Sequence, residues 1–438
     1  MSARTAPTRR RFLAGTSAAL TLGAASACGS SNGRSADELT MWTFLDPAGP
    51  SGREKVLGAL IESYTEETGI QVNVEVQQWD TMTQQFLAAD VSSSAPDVMW
   101  LSLDQVATAV EQGALADLNA LAFGDLPEAQ LADLRDVYWT TMEQDDGSLY
   151  GVVHSRNYFG IMYRADLLAE VGADPADLNA WSDLLSVTKE LTSPDDGRWG
   201  LGQAFGTSFA DPQILSARIL ELQGSMFAAD GSPQWSTDPG VSAMEFQAGF
   251  VTDSQVTSHD AVRLTSEDLY ELFSAGQAAM INGASVRVPA MQEQIGAENV
   301  GFMHYPSGGG VDPAPGSLAG WSVGVWAGSE VAEQAADFVA FLSSPEADAR
   351  WMLEGQQPPL YASTAADNAD FLAAPENSFL ATVLEGTQEL GWLPPTSAPT
   401  VGWREALNGA VQKVLLEQGT AAEAMEAAEQ EFGVGGHD

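Results

Sequence analysis

Alternating hydrophobic and polar positions after residue 38 predict strands and helices in regular succession. Leu39 to Phe44 has the hydrophobic content of a strand, and Ser51 with Glu54 three residues later forms a capping box before an amphipathic helix. Gly69 is positioned to end that helix. From Ile70 to Val76, hydrophobic and polar residues alternate with period two, which predicts a second strand.

The same succession continues along the chain. An amphipathic stretch at 79–90 leads into the hydrophobic run 98–101, and this β-α-β-α-β order predicts a parallel sheet with right-handed crossovers. Further predicted strands lie at 147–163, 200–205, 278–281 and 322–326. Helical patterns dominate after Ser329, where Thr420 and Glu423 form another capping box. The chain is therefore predicted to be an α/β protein.

The N-terminal segment has a different character from the rest of the chain. Residues 1–27 contain four arginines and no acidic residue, and Thr8 to Leu13 matches the twin-arginine export pattern ahead of a short hydrophobic run. Ala25 to Ala27 then supplies small residues before Cys28, as in a lipoprotein cleavage site. We predict a signal peptide at 1–27 and a lipidated Cys28 at the start of a linker spanning 28–37.

Charge and composition exclude several classes of function. The 438 residues include 60 acidic and 18 basic ones, a net charge of −42 that repels nucleic acid and anionic lipid surfaces. A single cysteine excludes a disulfide framework and cysteine-based zinc sites, and the four histidines are too scattered for a local metal motif. No cofactor and no metal are expected.

The predicted sheet indicates where a ligand would bind. In open parallel sheets, ligands bind beyond the carboxyl ends of the strands. The loops after the first three strands all carry aromatic and carboxylate residues, among them Phe44, Asp46, Trp79, Asp80, Trp100 and Asp104. Aromatic faces pack on the C–H faces of sugars and carboxylates accept hydrogen bonds from hydroxyls, so these loops favour a carbohydrate ligand.

Two enzymatic alternatives arise from the sequence. Gly320 to Gly324 matches the G-x-S-x-G string of a hydrolase nucleophile elbow, but the hydrophobic run continues past Ser322 where the elbow requires a helix. A secreted glycoside hydrolase is the second alternative, because paired carboxylates could act on the same carbohydrate. No residue is identified as catalytic.

Five segments together resemble a known family over nearly the whole chain after Cys28. The chain resembles the extracellular solute-binding proteins of ABC importers, in the group that includes maltose- and oligosaccharide-binding proteins. The segments that carry this resemblance are 95–98 with 113–118, 149–152 with 161–167, 276–283, 335–342, and 343–346. They occur in the order expected for the family.

The resemblance implies a periplasmic-binding-protein fold, in which two α/β lobes are joined by three hinge crossings. Mapped onto this chain, the crossings fall near 157–161, 280–283 and 321–325. Lobe I is then expected to comprise 38–157 with 283–320. Lobe II is expected to comprise 158–282 with 321–438. A ligand would bind in the cleft between the lobes.

The resemblance also suggests ligand-binding residues. Asp46 and Asp104 match positions where maltose-binding members place carboxylates on sugar hydroxyls, and Trp403 and Trp321 match aromatic residues that stack on the sugar. Asn157 stands where those members have Glu. The remaining candidates follow from loop position and are Trp79, Trp100, Tyr158, Arg287 and Gln357.

The resulting hypothesis is a monomeric lipoprotein on the outer face of the cytoplasmic membrane, bound to the membrane only through its lipid. It captures a mono- or oligosaccharide by cleft closure and delivers it to the transmembrane subunits of an ABC permease, without enzymatic turnover. An alternative ligand is a cationic solute such as a polyamine, which the acidic chain would attract. The alternatives of another class are the glycoside hydrolase and a surface adhesion protein.

Overall fold

A computed structural model describes residues 37–206, 212–394 and 402–435. The predicted signal peptide at 1–27 and the predicted lipidation at Cys28 lie outside the described residues, as does the linker up to residue 36. Within the described ranges, no helix is both long enough and hydrophobic enough to cross a membrane.

Strands and helices alternate through most of the described chain. The strands are β1 (Glu38–Thr43), β2 (Gln71–Val76), β3 (Val98–Ser102), β4 (Val152–Arg164), β5 (Trp199–Gly202), β6 (Ala278–Ala284), β7 (Val300–Met303), β8 (Gly316–Val325) and β9 (Gly391–Trp392). The helices of the first half are α1 (Gly52–Thr68), α2 (Met82–Val91), α3 (Leu103–Glu111), α4 (Glu128–Leu134), α5 (Val137–Met142), α6 (Ala165–Glu170), α7 (Trp181–Leu191), α8 (Gln213–Gln223) and α9 (Asp238–Thr252). Those of the second half are α10 (Ser266–Ser274), α11 (Val288–Ile295), α12 (Ala332–Leu342), α13 (Pro345–Leu353), α14 (Ala362–Asp367), α15 (Ala369–Leu372), α16 (Ser378–Glu385), α17 (Gly402–Leu415) and α18 (Ala421–Gly435).

The first helix forms for the reason that its sequence indicates. Ser51 Oγ accepts the Glu54 amide at 3.3 Å and the Glu54 carboxylate accepts the Ser51 amide at 2.9 Å, which is the predicted capping box. Gly69 ends the helix in the left-handed conformation with φ +80°, which glycine adopts without steric cost. The helix buries one face, including Leu57 and Leu60, against the sheet.

The sheet is mixed rather than wholly parallel. Its strand order is β2-β1-β3-β8-β4-β6-β5, with β7 paired to β4 and β9 paired to β8. The β1–β2, β1–β3 and β5–β6 pairs are parallel. The parallel pairing predicted from the first three strands is confirmed for β1, β2 and β3. It does not extend to the rest of the sheet, because β8 runs antiparallel to both β3 and β4, and β6 and β7 run antiparallel to β4.

The long strand β4 connects two parts of this sheet. Its first half pairs with β8 as far as Tyr158, and its second half pairs with β6 and β7 from Phe159 onward. The run from Val152 to Tyr158 is buried throughout, as expected for a strand covered on both faces. The pairing partners of β4 therefore change at the 158/159 peptide bond, from β8 before it to β6 and β7 after it.

The packing of two segments departs from the predicted lobe boundaries. β7, predicted in lobe I, pairs with the second half of β4. The α12 helix, predicted in lobe II, packs against α1, with the Phe338 and Tyr64 rings 4.9 Å apart. The chain enters β8 beside the junction of the two halves of β4 and leaves it beside β3. The helix that follows β8 therefore packs against elements from the start of the chain.

A buried histidine in β4 makes folding sensitive to acid. His154 lies at a bulge of β4, with Nε2 2.9 Å from Ser343 Oγ, and burial lowers its pKa from 6.5 to about 3. The unfolded chain therefore binds a proton between pH 6.5 and about 3 that the folded chain does not, so stability falls as pH falls through this window.

We expect His154→Gln to remove this contribution. Between pH 7 and pH 5, the free energy of unfolding of the unchanged protein should fall by about 2 kcal/mol more than that of the variant. Urea unfolding at the two pH values measures the difference. Identical pH dependence in both proteins would contradict a buried neutral His154.

Candidate functional site

Three strands place an aromatic residue between two serines at the carboxyl end of β3. In the register of the sheet, Trp321 of β8 lies opposite both Ser102 of β3 and Ser155 of β4. Directly opposed residues share one face of a sheet, so the three side chains are neighbours. Phe44, just after β1, packs on this face with its ring 4.9 Å from Trp321 and 5.3 Å from Trp100.

An arginine from the first turn of α1 lies over Phe44, one of the two rings of this aromatic pair. The Arg53 guanidinium carbon is 5.9 Å from the Phe44 ring centroid, and Nη1 lies 3.5 Å from Ser155 Oγ. Burial lowers the pKa of Arg53 to about 10; the charge of Glu54 opposes this shift and that of Arg287 adds to it. Arg53 therefore remains a cation at neutral pH, and Phe44 and Trp321 form an aromatic wall with a charged donor beside it.

The loop after β6 is attached to the same face of β4. Asn157 Oδ1 accepts hydrogen bonds from Ser285 Oγ at 3.0 Å and from the Val286 amide at 3.1 Å. Arg287 follows directly, 4.5 Å over the Tyr270 ring and in an ion pair with Glu267. Arg53 contacts Ser155, and Asn157 holds the loop that carries Arg287. Because Ser155 and Asn157 are two residues apart on one strand, they lie on the same face of β4, and the two arginines approach that face from different elements.

A second contact joins distant parts of the chain. Asp104 on α3 forms an ion pair with Arg404 on α17, and these side chains are only 16% and 13% exposed. Arg404 also lies 4.9 Å over the Trp403 ring, and burial lowers its pKa to about 10. Beside this pair is a cavity of about 190 Å³, lined by α3, Thr141, Met142, Gln144, Leu393 and Pro394.

Some of the predicted ligand residues lie together at this site, whereas others are buried in the hydrophobic core. Trp321, Asn157 and Arg287 meet at the face of β4 and β8 described above. Trp100 and Trp403 are fully buried, so neither presents a face on which a sugar could stack. Trp403 packs edge-on against Trp392 at 5.8 Å, in the core formed with α9 and α18. We therefore remove these two tryptophans from the candidate ligand contacts.

The other predicted residues have varied surroundings. Asp46 is exposed and accepts the Ala48 amide at 2.9 Å, while Trp79 is 44% exposed after β2. Tyr158 is buried at the 158/159 junction, with its hydroxyl 3.0 Å from His304 Nδ1, and burial raises its pKa. Gln357 is 2% exposed, and its side-chain amide has no hydrogen-bond partner among the described residues.

Sequence reasoning missed Arg53, Ser155 and Arg404. Arg53 is the second residue of α1, where the helix dipole disfavours a cation, and this misfit is the signal that could have identified it. Ser155 and Arg404 carry no such signal, because their positions depend on strand register and on helix packing.

The described residues offer no metal centre and no nucleophile elbow. Nowhere in the described ranges do three His, Cys, Asp or Glu residues cluster closely enough to hold a metal ion. Ser322 is fully buried within β8, paired on one side with Leu101 and on the other with Val153, and no helix begins there. The G-x-S-x-G string is therefore the middle of a strand.

The Asp104–Arg404 ion pair yields a testable energy. In a double-mutant cycle with Asp104→Asn and Arg404→Gln, we expect a coupling of about 1–2 kcal/mol, below that of a fully buried pair because both side chains retain some solvent. Urea unfolding of the four proteins measures it. Additive effects of the two substitutions would contradict a stabilising contact between α3 and α17.

Comparison with known proteins assigns the chain to a family. The sequence profile of the family described as bacterial extracellular solute-binding protein matches residues 59–378. The chain belongs to this family. The resemblance noted in the sequence is thereby confirmed, and so is the extracytoplasmic location that the family description gives.

One relative of this solute-binding protein is the Escherichia coli (strain K12) protein YcjN, named as a candidate ABC transporter periplasmic-binding protein. The two are 25% identical over 316 residues, which cover 71% of this chain and 70% of YcjN. A relationship at this length extends well beyond a single motif. It includes most of the described residues.

Solved structures confirm the predicted two-lobed α/β fold. The ABC substrate-binding protein Lmo0181 from Listeria monocytogenes, in complex with cycloalternan, has a TM-score of 0.77 at 21% identity and covers 91% of this chain and 98% of its own. The GacH receptor of Streptomyces glaucescens, described with acarbose, has a TM-score of 0.76 at 19% identity and covers 90% and 97%. Maltose-bound MalE3 from T. maritima has a TM-score of 0.72 at 19% identity and covers 91% and 99%.

Proposed function

We propose that this solute-binding protein captures a mono- or oligosaccharide and delivers it to an ABC permease. The observation that carries the proposal is the aromatic wall of Phe44 and Trp321, flanked by Arg53 and Ser155. Aromatic faces stack on the apolar faces of sugar rings, and the adjacent donors can bind ring hydroxyls. The protein acts by binding, without turnover.

The ligands named for similar proteins support the saccharide class. Cycloalternan, acarbose and maltose are the molecules named for the three solved structures above, and all three belong to sugar chemistry. The name of YcjN supports the ABC transporter assignment.

We propose revised lobes around this site. Lobe I contains 38–157 with 321–367, built on β1, β2, β3 and the second half of β8. Lobe II contains the described residues of 159–318 and 378–435, built on β5, β6, β7 and the second half of β4. Under this division Asp104 and Arg404 belong to different lobes, and the 158/159 junction of β4 is one hinge. Ligand binding then shifts the population toward the closed arrangement.

Attachment to the membrane is part of the proposal. A lipid on Cys28, export through the twin-arginine pattern and a monomeric state in solution all remain predictions from the sequence. Metabolic labelling with a radioactive fatty acid, compared between the unchanged chain and Cys28→Ser, tests the anchor. Equal labelling of the two proteins would contradict it.

A thermal-shift screen over a saccharide library tests the function. A ligand that binds only the folded state raises the midpoint of unfolding in proportion to the logarithm of its excess over Kd. We expect a subset of saccharides to stabilise the protein and polyamines to leave it unchanged. Stabilisation by polyamines alone would instead support the cationic-solute alternative.

A further inference from the structure

One arginine of the candidate site differs from all the other described arginines. The structure describes ten arginines, and nine of them have a carboxylate oxygen within 4.0 Å. Arg53 is the tenth, and it has no carboxylate partner among the described residues. In a chain with 60 acidic residues, a partly buried arginine without an acidic partner requires an explanation.

The acids closest to Arg53 in sequence are already engaged. The Glu54 carboxylate accepts hydrogen bonds from the Ser51 amide and hydroxyl at 2.9 and 2.6 Å, as part of the capping box. The Asp46 carboxylate accepts the Ala48 amide within its own loop. The one polar partner that the described residues give Arg53 is the neutral Ser155 hydroxyl. Its charge is therefore largely desolvated without being neutralised by an anion.

Two further polar groups belong to elements that pack near Arg53. Arg287 is carried to the same face of β4 by the loop that Asn157 holds, and its buried Nε has no hydrogen-bond partner among the described residues. Gln357 belongs to the turn that packs on α1, where a Cβ on Gly355 would lie 3.7 Å from Arg53 Cα. Buried amides without partners are rare in proteins, so the Gln357 side chain is a second polar group with unused hydrogen-bonding capacity.

We infer that the site selects saccharides that carry a carboxylate, the uronic acid class, with Arg53 as the residue that binds the carboxylate. A sugar stacked on Phe44 and Trp321 would place its substituents beside Arg53, which lies over that wall. A planar carboxylate matches the two parallel donors of a guanidinium.

The charge balance favours a carboxylate over a phosphate. Arg287 is neutralised by Glu267, so the two arginines together leave about one unpaired positive charge. A uronate supplies one negative charge, whereas a phosphate monoester supplies up to about two. The positive end of the α1 dipole adds to the attraction, because Arg53 is in the first turn of that helix. The same cation opposes binding of a polyamine.

Isothermal titration calorimetry with matched ligands tests this inference, which rests on the proposed saccharide-binding function. The probes are galacturonic and glucuronic acid as mono-, di- and trisaccharides, together with the methyl ester of each, which keeps the shape and removes the charge. On the unchanged protein, we expect at least one acid to bind about tenfold or more tightly than its ester. This comparison requires no variant.

Variants then assign the preference to Arg53. We expect the ratio of ester Kd to acid Kd to fall to about one in Arg53→Gln and to be partly retained in Arg53→Lys, which keeps the charge but loses the planar pair of donors. Arg350→Gln, which removes a partly exposed arginine paired with Glu354, should leave the ratio unchanged.

Four results would overturn the inference. Equal affinity of the unchanged protein for acid and ester removes the preference itself, and an undiminished ratio in Arg53→Gln removes Arg53 from it. Binding of neutral saccharides without any binding of uronates overturns this inference and leaves the proposed function intact. Binding of no saccharide, neutral or acidic, overturns both.

Discussion

Replacing Trp321 with alanine is expected to weaken saccharide binding by about thirtyfold in Kd, or about 2 kcal/mol, without unfolding the protein. Trp321 lies between Ser102 and Ser155 in the sheet and packs against Phe44, so its removal takes away half of the aromatic wall. Its side chain is only partly buried, which is why we expect the fold to tolerate the change. Titration with the best saccharide of the thermal-shift screen measures the loss.

A matched variant separates stacking from general damage. Trp199 is another partly buried tryptophan, located on β5 at the edge of the sheet and separated from β8 by two strands. Trp199→Ala should therefore bind the saccharide as the unchanged protein does. If Trp321→Ala retained full affinity while remaining folded, Trp321 would have to be removed from the site.

The second large effect concerns stability. Arg156→Ala is expected to lower the free energy of unfolding by about 3–5 kcal/mol, because it removes a buried arginine from its ion pair with the partly exposed Asp136 and leaves two carbonyl groups without this donor. Arg156 Nη1 donates to Asp136 at 2.6 Å and to the Pro359 carbonyl at 3.0 Å, and Nε donates to the Val153 carbonyl at 3.1 Å. A single side chain therefore holds together β4, the start of α5 and the turn after α13.

Urea unfolding measures this change, with Arg350→Ala as the control. Arg350 forms an ion pair with Glu354 on the surface of α13, a contact of the kind that contributes below about 1 kcal/mol. A loss of unfolding free energy of similar size in both variants would contradict the conclusion that buried Arg156 links these three segments. The contrast between the two arginines is the result that matters, because the chemistry removed is the same.

Local features of the fold could be predicted from the sequence. The capping box of Ser51 and Glu54 and the left-handed end at Gly69 depend on residues close in the chain, and both are found at the predicted positions. The family and the two-lobed α/β class could also be predicted, since five short segments retain the family pattern. In contrast, β7 and β9 have only four and two residues and are defined by the strands they pair with.

The candidate site is less accessible to prediction than the fold. Trp321 and Trp403 both follow a glycine in the sequence, yet the register of β8 leaves Trp321 on the face that packs with Phe44, while α9 and α18 enclose Trp403. Arg53 is marked in the sequence only by its place in the first turn of a helix, where the helix dipole disfavours a cation. Its importance emerges only when Phe44, Ser155 and Arg287 are brought around it by three other elements.

The central claim is that the chain binds a saccharide and releases it unchanged. The most direct test titrates the purified protein with the best saccharide of the screen by calorimetry, and then recovers the ligand for chromatographic analysis. We predict saturable binding of one saccharide molecule per chain and quantitative recovery of the intact ligand after prolonged incubation. Shorter sugars accumulating at substoichiometric protein, or no heat of binding with any saccharide that stabilises the fold, would contradict the claim.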